Sequence, residues 1–549
     1  MNSRFFILTM LILSCLPTKA SILINELMPR NVSFMINENF NFDGWVELYN
    51  SGAENYNLSN CVFSDGKDTW ESGIDTVLVP GEYYIFYFNE MDLNNHANFK
   101  LDSDGGILTL TDKTGTKLDE VSYPKPLRNI SFGRTTDGGT TFGLLTSATP
   151  SKTNNTSSVL SEQSASPVLD LTPGFYENEQ SLTLSNSANA KIYYTTDGTE
   201  PKAIESQLYT DPITLTKNTP IRAIAVEEGK FPSDMVTGSY FIGNRNVSLP
   251  VVSLVTDPKM FYNDTIGMLV VGVSGTTLIP SYCSFSEPYA NFEEDWDRPC
   301  NFEIFDNNKT QRLSMEMKAG NFGACSRTKF VKSIKLNASK AYGGGKMDYA
   351  LFKEKPNLKW QSIVLRNQGN DFGRSFLRDG FMQTLLIGQM DIDHQAYQPS
   401  VVYVNGEYYG LLNIRERTNK DFIYSNYGLD EDEIYIEESS SSSVTDTEAY
   451  QEIISLLSED LTSDDAYQKI ESLIDVDEFL NYFMSEIYFA NTDWAGGNLK
   501  AWKRIINGKW RWILYDTDFG FSCYGNNYNT NTFSNATKNI TFSGLMNNP

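Results

Sequence analysis

The chain has 549 residues and a formal net charge of −25, which arises from 69 acidic and 44 basic residues. That length exceeds one ordinary hydrophobic core and predicts about three domains. The charge argues against nucleic acids and anionic membranes as partners, because both are bound by basic patches. It indicates either a solvated acidic surface or an attraction for a basic polymer. A hydrophobic content of 40% indicates a globular chain.

Residues 1–20, MNSRFFILTMLILSCLPTKA, join a basic start to an apolar run and a small-residue end. This pattern predicts a signal peptide that is cut after Ala20, and hence a secreted or cell-surface protein. Lipoprotein anchoring at Cys15 is the alternative. No later stretch has the roughly 18 apolar residues that a membrane span needs.

Cysteine and histidine are scarce. Five cysteines remain after cleavage, a sparse and odd number that does not predict a disulfide framework. One bridge among Cys283, Cys300 and Cys325 is compatible with the sequence. A Ser-His-Asp system or a histidine-rich metal site would have to use His96 or His394, the two histidines present. We therefore expect any chemistry to rest on carboxylates, amides and lysines.

Residues 21–150 alternate between apolar and polar side chains in short segments that turns separate. The segments are ILINELM, WVELYN, YYIFYF, GILTLTD and KLDEVSY. Such spacing predicts an all-β sandwich. With ILINELMPRN, DGWVELYNSG, LDSDGGILTLTD and ISFGRTTDGG in this order, the region resembles the lamin-tail domain, an immunoglobulin-like module.

A polar stretch at residues 151–166 is typical of a linker, and a second series of short strands follows at residues 165–243. Its segment IYYTTDGTEP is similar to the β-sandwich of the chitobiase and hexosaminidase C-terminal type. We expect both sandwiches to be separable from the rest of the chain.

Residues 249–549 mix the two kinds of periodicity and predict an α+β domain. Strands are predicted in LPVVSLVTDPKMFY, KFVKSIKLNAS, WQSIVLRNQGND and SVVYVNGEYYGLLNIRER, and helices in FGRSFLRDGFMQTLLIG and DVDEFLNYFMSEIYFAN. In the second helix Asp475 is placed to cap the start. Its apolar residues at helical spacing are Phe479, Leu480, Phe483, Met484 and Ile487. No segment has the spacing of a Walker A motif.

The stretch after this helix carries the candidate chemistry. Asp493 is followed by Asn498, then by a predicted hairpin with a two-residue Asn507-Gly508 turn, and then by Asp516 and Asp518. The two later aspartates share strand parity with the tryptophans of KWRW while the strand stays extended. The catalytic loop and metal-binding segment of protein kinases have this same order: Asp, four residues, Asn, a hairpin and a later Asp. A surface hairpin with incidental aspartates is the alternative.

Residues 249–549 resemble the CotH family, secreted or spore-coat proteins with an atypical protein-kinase fold. The matching stretches are LPVVSLVTDP, SRTKFVKSIKL, LRNQGNDFGRSFLRDGFMQTLL, VVYVNGEYYGLLNIRER and NTDWAGGNLKAWKRIINGKWRWILYDTDFGF. The resemblance implies ATP as substrate and Mg²⁺ or Mn²⁺ as cofactor. It implies Asp493 as the catalytic-loop aspartate, with Asn498 and Asp516 as metal ligands and Asp518 as second choice for the later ligand.

The same resemblance implies that Lys332 contacts the nucleotide phosphates, that Arg327 supports the pocket and that Trp510 stacks on adenine. An edge-strand lysine and a core tryptophan are the alternatives. Arginines and acids that recur in the family pattern are interpreted as structural ion pairs: Arg366, Arg378-Asp379 and Arg415-Glu416. Two departures stand out: no glycine-rich flap precedes Lys332, and the chain stops where the family continues into further helices, so we expect a fragment.

The fold class predicted is two immunoglobulin-like sandwiches followed by a kinase-like α+β domain. The function predicted is phosphotransfer from Mg-ATP to serine or threonine of a surface or extracellular protein. A basic, serine-rich acceptor protein would suit the negative net charge of this chain. A non-catalytic surface, adhesion or structural protein that uses the kinase-like fold as a scaffold is the alternative. A glycan-processing enzyme comes third, because no feature determines the carboxylate separation that it needs.

Overall fold

The computed structural model describes residues 22–187, 190–243, 247–272, 290–439, 448–459, 461–495, 497–525, 527 and 529–547. The predicted signal peptide, with Cys15, and Cys283 lie outside the described residues. Two compact units are formed, one by residues 1–164 with 227–232 and the other by residues 165–226 with 233–549. Within the described residues no helix is long and apolar enough to span a membrane.

The first unit is a β-sandwich, as predicted. A seven-stranded sheet in the order β13-β12-β11-β1-β2-β7-β8 and a four-stranded sheet in the order β10-β9-β4-β5 share one apolar core, and β3 pairs with β6. Alternation along each strand directs one face inward, so that side chains such as Val46, Phe63 and Leu110 are fully buried. The strands are β1 Ile22–Met28, β2 Gly44–Asn50, β3 Tyr56–Asn57, β4 Cys61–Ser64, β5 Thr69–Glu71, β6 Val77–Leu78, β7 Tyr83–Phe88, β8 His96–Ala97, β9 Gly106–Asp112, β10 Lys117–Tyr123, β11 Phe132–Arg134, β12 Phe142–Leu145 and β13 Val159–Leu160.

The second unit begins with a smaller set of β-sheets. Five strands in the order β15-β22-β21-β18-β19 form its main sheet, and the pairs β14–β17 and β16–β20 complete it around a core that includes Leu182, Ile221 and Tyr240. The strands are β14 Val168–Leu169, β15 Gly174–Tyr176, β16 Gln180–Leu182, β17 Leu184–Ser185, β18 Lys191–Thr195, β19 Gln207–Leu208, β20 Ile213–Leu215, β21 Thr219–Val226 and β22 Val236–Ile242.

The remainder of the second unit combines a closed barrel, β23-β24-β25-β26-β29-β32-β31, with a four-stranded sheet, β30-β35-β34-β33, and the helices. The strands are β23 Val251–Val255, β24 Arg298–Phe305, β25 Gln311–Phe322, β26 Ser333–Asn337, β27 Met347–Asp348, β28 Lys359–Trp360, β29 Ser362–Arg366, β30 Asp393–His394, β31 Tyr397–Val404, β32 Glu407–Glu416, β33 Ile434–Ser439, β34 Leu499–Arg504 and β35 Arg511–Leu514. The helices are α1 Pro258–Tyr262, α2 Arg378–Leu385, α3 Lys420–Tyr427, α4 Glu448–Leu456, α5 Asp464–Leu473, α6 Val476–Tyr488, α7 Phe533–Ala536 and α8 Ile540–Leu545.

The smaller sandwich and the barrel share buried contacts and belong to one compact unit, which argues against the prediction that this sandwich is separable. Phe241 of β22 packs between Phe305 of β24 and Tyr403 of β31, with ring centroids 5.7 and 4.8 Å away. The fully buried carboxylate of Glu303 accepts hydrogen bonds from the backbone N–H of Ser239, at 3.2 Å, and from its hydroxyl. Removing the sandwich would expose these apolar rings and take both Ser239 hydrogen bonds from Glu303, which would keep the one from Gln311 of the barrel.

The prediction for α6 is confirmed in its position and its cap, because Asp475 accepts a hydrogen bond from the Glu478 N–H. The predicted buried face is only half right. Phe479 and Phe483 are fully buried, whereas Leu480 and Met484 are 41% and 48% exposed. The helix turns its other side to the core, where glutamates and a tyrosine flank the two phenylalanines.

The predicted two-residue hairpin turn is wrong. Strands β34 and β35 pair through Ala501 and Trp512, but residues 505–510 connect them. The reason is that Trp510 pairs elsewhere: its N–H donates to the Leu473 carbonyl at 2.8 Å, and its carbonyl accepts from the Asp475 N–H at 3.0 Å. The junction of α5 and α6, not β34, therefore holds this end of the hairpin.

The cysteines follow the predicted pattern in part. Cys325 forms a disulfide whose partner lies outside the described residues. Cys300 is a free, buried thiol, as are Cys61 and Cys523.

Candidate functional site

The loop between α6 and β34 carries the first two candidate residues. Asp493 lies exposed in this loop, and the side-chain N–H of Asn498 donates to its backbone carbonyl at 3.0 Å and to its carboxylate at 3.2 Å. Asn498 has a φ of +54°, and Ala490 and Ala495 also lie in the left-handed region. Non-glycine residues are strained there, and such strain recurs at functional sites. The loop thus presents a carboxylate and an amide side by side.

Asp516 lies just beyond β35, and its position was predicted only in part. The strand ends at Leu514, and Asp516 has a φ of +55°, so the alternation that would place Asp516 and Asp518 on one face stops. The two side chains consequently differ: that of Asp516 is 29% exposed and that of Asp518 is 1% exposed. The chain turn, not the strand, decides which aspartate is accessible.

Asp518 is held by buried hydrogen bonds from a turn after β29. The Asn370 N–H donates to Oδ2 at 2.8 Å, the Asn370 side chain donates to Oδ1 at 3.2 Å, and Arg366 donates to Oδ2 at 3.1 Å. A Cβ atom at Gly369 would lie 2.2 Å from Oδ2, so only glycine permits this approach. Burial, and then the charge of Asp516, raise the pKa of Asp518 to about 7 against the opposing effect of Arg366. Both oxygens are engaged, which does not favour the second-choice role of metal ligand.

Arg366 connects the two later aspartates to α2. Its guanidinium bonds to Asp516 as well as Asp518 and lies 3.7 Å from the Asp379 carboxylate. Burial would raise the pKa of Asp379, but Arg415 and Arg366 hold it below its ordinary value. Asp379 in turn accepts from the Thr517 N–H at 3.2 Å and the Thr517 hydroxyl at 2.9 Å. The interpretation of Arg366 and Asp379 as members of structural ion pairs is confirmed.

The other predicted ion-pair residues are also paired. Arg378 binds Asp371, and Glu416 binds Lys355. The interpretation of these residues as members of structural ion pairs is therefore confirmed, with other partners than their sequence neighbours.

Asp493 and Asp516 are close enough to interact electrostatically. Although Asp493 is exposed, the surrounding protein removes part of its hydration, and this together with the charge of Asp516 raises its pKa, while the hydrogen bond from Asn498 lowers it. A carboxylate with a raised pKa is a better proton acceptor. The structure therefore brings together Asp493, Asn498 and Asp516 from the two arms of the hairpin.

Lys332 lies immediately before β26 and is 7% exposed. Its ammonium donates to the Lys329 carbonyl at 3.0 Å and lies 4.2 Å from the centre of the Phe292 ring. Burial lowers its pKa to about 8. Within the described part of the chain it contacts no carboxylate, so its charge is not balanced by an acid.

Arg327 lies in the turn Cys325–Thr328 and is bound to backbone carbonyls of Gly323 and Glu293. The turn that follows β29 ties this segment to the aspartates. The buried Asn367 side chain donates to the Ser326 carbonyl at 3.2 Å and to the Val331 carbonyl at 2.7 Å. Residues 366–370 thus bind the Lys332 and Arg327 segment on one side and Asp516 and Asp518 on the other.

Trp510 does not offer a ring face to a nucleotide. It is 1% exposed, and its ring packs edge-to-face on Tyr450 at 5.2 Å between centroids. It belongs to the apolar core that α4, α5, α6 and the hairpin share. The core alternative stated from the sequence fits this placement, and the stacking role does not.

The fit of a metal ion can be tested on the donor atoms present. Mg²⁺ prefers carboxylate and amide oxygens and keeps several waters. Asp516 uses one oxygen for Arg366, and its other oxygen has no hydrogen bond within the described residues; the Asn498 side chain uses its N–H groups and leaves its oxygen. In that part of the chain no group of three or more His, Cys, Asp or Glu is placed so that it could hold a metal ion by itself. The oxygens that Asn498 and Asp516 leave without a hydrogen bond in the described residues are of the kind that Mg²⁺ prefers.

Two sets of residues were missed from the sequence alone. Asn367 and Asn370 lie in the segment RNQGND, where three polar amides follow a buried strand. Glu486 and Asn491 lie at the end of α6, and the helical period of Phe479 and Phe483 places Glu486 on the same buried arc. A charged residue on a buried arc was the signal that could have found the second set.

Comparison with protein families supports the three-part architecture. Residues 17–125 match the Lamin Tail Domain, residues 171–237 match the Chitobiase/beta-hexosaminidase C-terminal domain, and residues 320–548 match the CotH kinase protein family. The comparison with curated proteins gave no match.

Among solved structures, the fibronectin(III)-like modules of Clostridium thermocellum CbhA align with 12% identity over 36% of this chain and 85% of that chain, with a TM-score of 0.14. A TM-score this low carries no argument about the fold. The family matches and the observed sheets and helices agree with one another. Three successive segments of the chain thus match the models of a lamin tail domain, a chitobiase/β-hexosaminidase C-terminal domain and a CotH kinase protein, in that order.

Proposed function

We propose that this protein transfers the γ-phosphoryl group of ATP to a serine or threonine hydroxyl of a surface or extracellular protein. The observation that carries the proposal is the grouping of Asp493, Asn498 and Asp516 at one end of the β34–β35 hairpin. An aspartate that receives the acceptor hydroxyl, with an asparagine and a later aspartate that hold the metal, is the set that protein kinases use for phosphoryl transfer.

Asp493 is the group that meets the acceptor. Its exposed carboxylate accepts a hydrogen bond from the acceptor hydroxyl, orients the oxygen and takes its proton. The raised pKa of Asp493, caused by the partial loss of its hydration and by the charge of Asp516, makes it a better base. The acceptor oxygen forms a bond to the γ-phosphorus as the bond to the bridging oxygen breaks, and ADP leaves.

Asn498 and Asp516 would hold Mg²⁺ or Mn²⁺ through their side-chain oxygens. The cation, when bound, supplies positive charge that offsets the charge of the phosphates. Arg366 binds one oxygen of the Asp516 carboxylate, so that the other, which has no hydrogen bond in the described residues, is the one available to the cation. Neutralisation of Asp516 would accordingly weaken nucleotide binding, not only turnover.

Lys332 and Arg327 are the proposed phosphate contacts. The Lys332 ammonium is buried and has no acid partner within the described residues, and burial strengthens its attraction to an anion. Arg327 shares its segment, which Asn367 ties to the strand that carries Arg366.

The scaffold function remains a second candidate on one observation. Arg366 pairs with Asp516 and Asp518. Ion pairs that only stabilise a fold also perturb pKa values, so the perturbed aspartates are compatible with a purely structural role. In that case the domain would serve a surface or adhesion role without turnover.

The deciding experiment compares nucleotide binding and phosphate transfer in the full chain. Asp516→Asn should reduce the affinity for a non-hydrolysable ATP analogue with Mg²⁺, measured by isothermal titration. Asp493→Asn should leave that affinity largely unchanged but lower transfer by about 10²-fold or more. The exposed Asp477 on α6 provides a matched control as Asp477→Asn, which should change neither.

An unchanged affinity in all three variants, together with an absence of transfer by the native protein, would establish the scaffold function. Transfer that persists in Asp493→Asn would show that another group accepts the proton.

A further inference from the structure

Two glutamates lie on the buried face of α6. Glu478 and Glu486 are both fully buried, and their separation of eight residues places them about two turns apart on neighbouring parts of the same helix face. Glutamate is almost never fully buried unless it is paired. Each of these side chains therefore needs a structural or functional reason.

Glu486 is linked to the candidate catalytic aspartate through one residue. Its Oε2 accepts a hydrogen bond from the Asn491 side chain at 2.8 Å, and Asn491 Oδ1 accepts from the backbone N–H of Asp493 at 3.1 Å. The Asn491 N–H also donates to the Glu486 carbonyl at 3.2 Å. Asn491 is itself fully buried, so the link excludes water.

Glu478 makes the equivalent link to the other arm of the hairpin. Its Oε2 accepts from the backbone N–H of Trp512 at 2.9 Å. Trp512 lies in β35, four residues before Asp516. One helix thus binds both segments that carry the candidate acidic residues.

The loop that Glu486 binds has a conformation that needs such support. Ala490, Ala495 and Asn498 all have positive φ, which side chains with a Cβ rarely adopt unless their surroundings impose it. Trp494 adds a further contact to α6, because its indole N–H donates to the Tyr482 hydroxyl at 3.0 Å.

The chemistry of the two glutamates suits an uncharged anchor. In each, Oε1 is buried and has no hydrogen-bond partner in the described structure. Burial raises the pKa of Glu486 to about 8, against the hydrogen bond from Asn491, and burial raises that of Glu478 as well. A neutral carboxylic acid in each position can be replaced by glutamine without loss of the accepting oxygen.

We propose that Glu478 and Glu486 are positioning residues, which hold Asp516 and Asp493 in their relative places by anchoring the two arms of the hairpin to α6. The catalytic consequence of this assignment rests on the proposed phosphotransfer function, but the anchoring itself does not. Neither glutamate touches substrate, and their effect passes through Asn491 and the Trp512 backbone.

The test replaces each glutamate by glutamine and by leucine, with Asn491→Ala as a second way to cut the Glu486 link. Ser485→Ala is the matched control, because Ser485 is buried on the same helix and bonds to the Asn481 carbonyl within it. Hydrogen–deuterium exchange of peptides that cover residues 489–499 and 511–518 is measured beside kcat and KM for transfer.

We expect Glu486→Leu and Asn491→Ala to accelerate exchange in residues 489–499 by about tenfold or more, and Glu478→Leu to do so in residues 511–518. The kcat of Glu486→Leu and Asn491→Ala should fall with little change in KM, whereas Glu478→Leu, which acts on the Asp516 arm, should also raise the KM for ATP. The glutamine variants and Ser485→Ala should behave like the native protein. If the leucine variants unfold, Asn491→Ala still tests the Glu486 link. In that case Glu478→Gln tests the Glu478 link.

Native exchange in the leucine variants and in Asn491→Ala would overturn the proposal. So would exchange in Glu478→Gln as fast as in Glu478→Leu. Accelerated exchange without any transfer by the native protein would refute the phosphotransfer function and leave the anchoring role intact.

Discussion

Glu303 should make the stability of the second unit depend on pH. It lies in β24, fully buried against the smaller sandwich, and accepts hydrogen bonds from Ser239 and, at 2.6 Å, from the Gln311 side chain. Burial raises its pKa from an ordinary 4.5 to about 7, although these hydrogen bonds lower it. Glu303→Gln keeps the shape and the accepting oxygen but cannot ionise.

The direction and size of the effect follow from proton linkage. Between pH 4.5 and 7 the folded protein retains the proton on Glu303 while the unfolded chain has lost it, so stability falls as pH rises through this window. At roughly 1.4 kcal/mol per pH unit, a rise from 4.5 to about 7 corresponds to about 3 kcal/mol. Glu303→Gln should therefore match the native protein at pH 4 and exceed its unfolding free energy by about 3 kcal/mol at pH 8.

Urea unfolding of the full chain at a series of pH values measures this difference. The exposed Glu179 of the same sandwich provides a control as Glu179→Gln, for which the difference from the native protein should stay nearly constant with pH. A Glu303→Gln advantage that does not grow between pH 4.5 and 7 would refute the reasoning, because the carboxyl would then be ionised in its buried position.

Three further predictions concern the site, the domains and the N-terminus. Asp518→Asn should lower the unfolding free energy by about 1–3 kcal/mol, because it disturbs the buried hydrogen bonds that Asp518 accepts from Asn370 and Arg366. The affinity for Mg²⁺–nucleotide, measured by titration, should not change. A selective loss of that affinity would make Asp518 a metal ligand. A chain that starts at residue 247 should aggregate or unfold at lower temperature than the full chain, because Phe305 and Tyr403 lose their cover; an equal melting temperature would contradict this. Mass spectrometry of exported protein should find a chain that starts at residue 21, whereas one that starts at Met1 or carries lipid on Cys15 would contradict cleavage after Ala20.

Regular elements with strong periodicity could be predicted from the sequence. All five strands expected in the first sandwich are present, and α6 begins at its predicted cap. The physical reason is that alternation and helical spacing are local properties, which the chain carries wherever it folds. The order of the three domains could likewise be predicted, because each segment holds a series of motifs.

Predictions failed where distant segments compete for the same residues. Leu480 and Met484 have the right spacing for a core face, yet α6 directs Glu478 and Glu486 inward to reach the hairpin. The Asn507-Gly508 turn was lost because Trp510 pairs with the chain between α5 and α6. Neither outcome can be predicted from the spacing of neighbouring residues alone.

What the sequence by itself determined is the order of the candidate groups along the chain: a carboxylate, an amide and a later carboxylate around a hairpin, in a chain that has two histidines. Only the tertiary structure decided which carboxylate is accessible. Arg366 and Asn370, about 150 residues before the two aspartates, donate hydrogen bonds to the buried Asp518 and leave one oxygen of Asp516 without a hydrogen bond in the described residues. The hydration and charge of an acid depend on neighbours that the fold brings from elsewhere, so two aspartates that look equivalent in sequence become different groups in the protein.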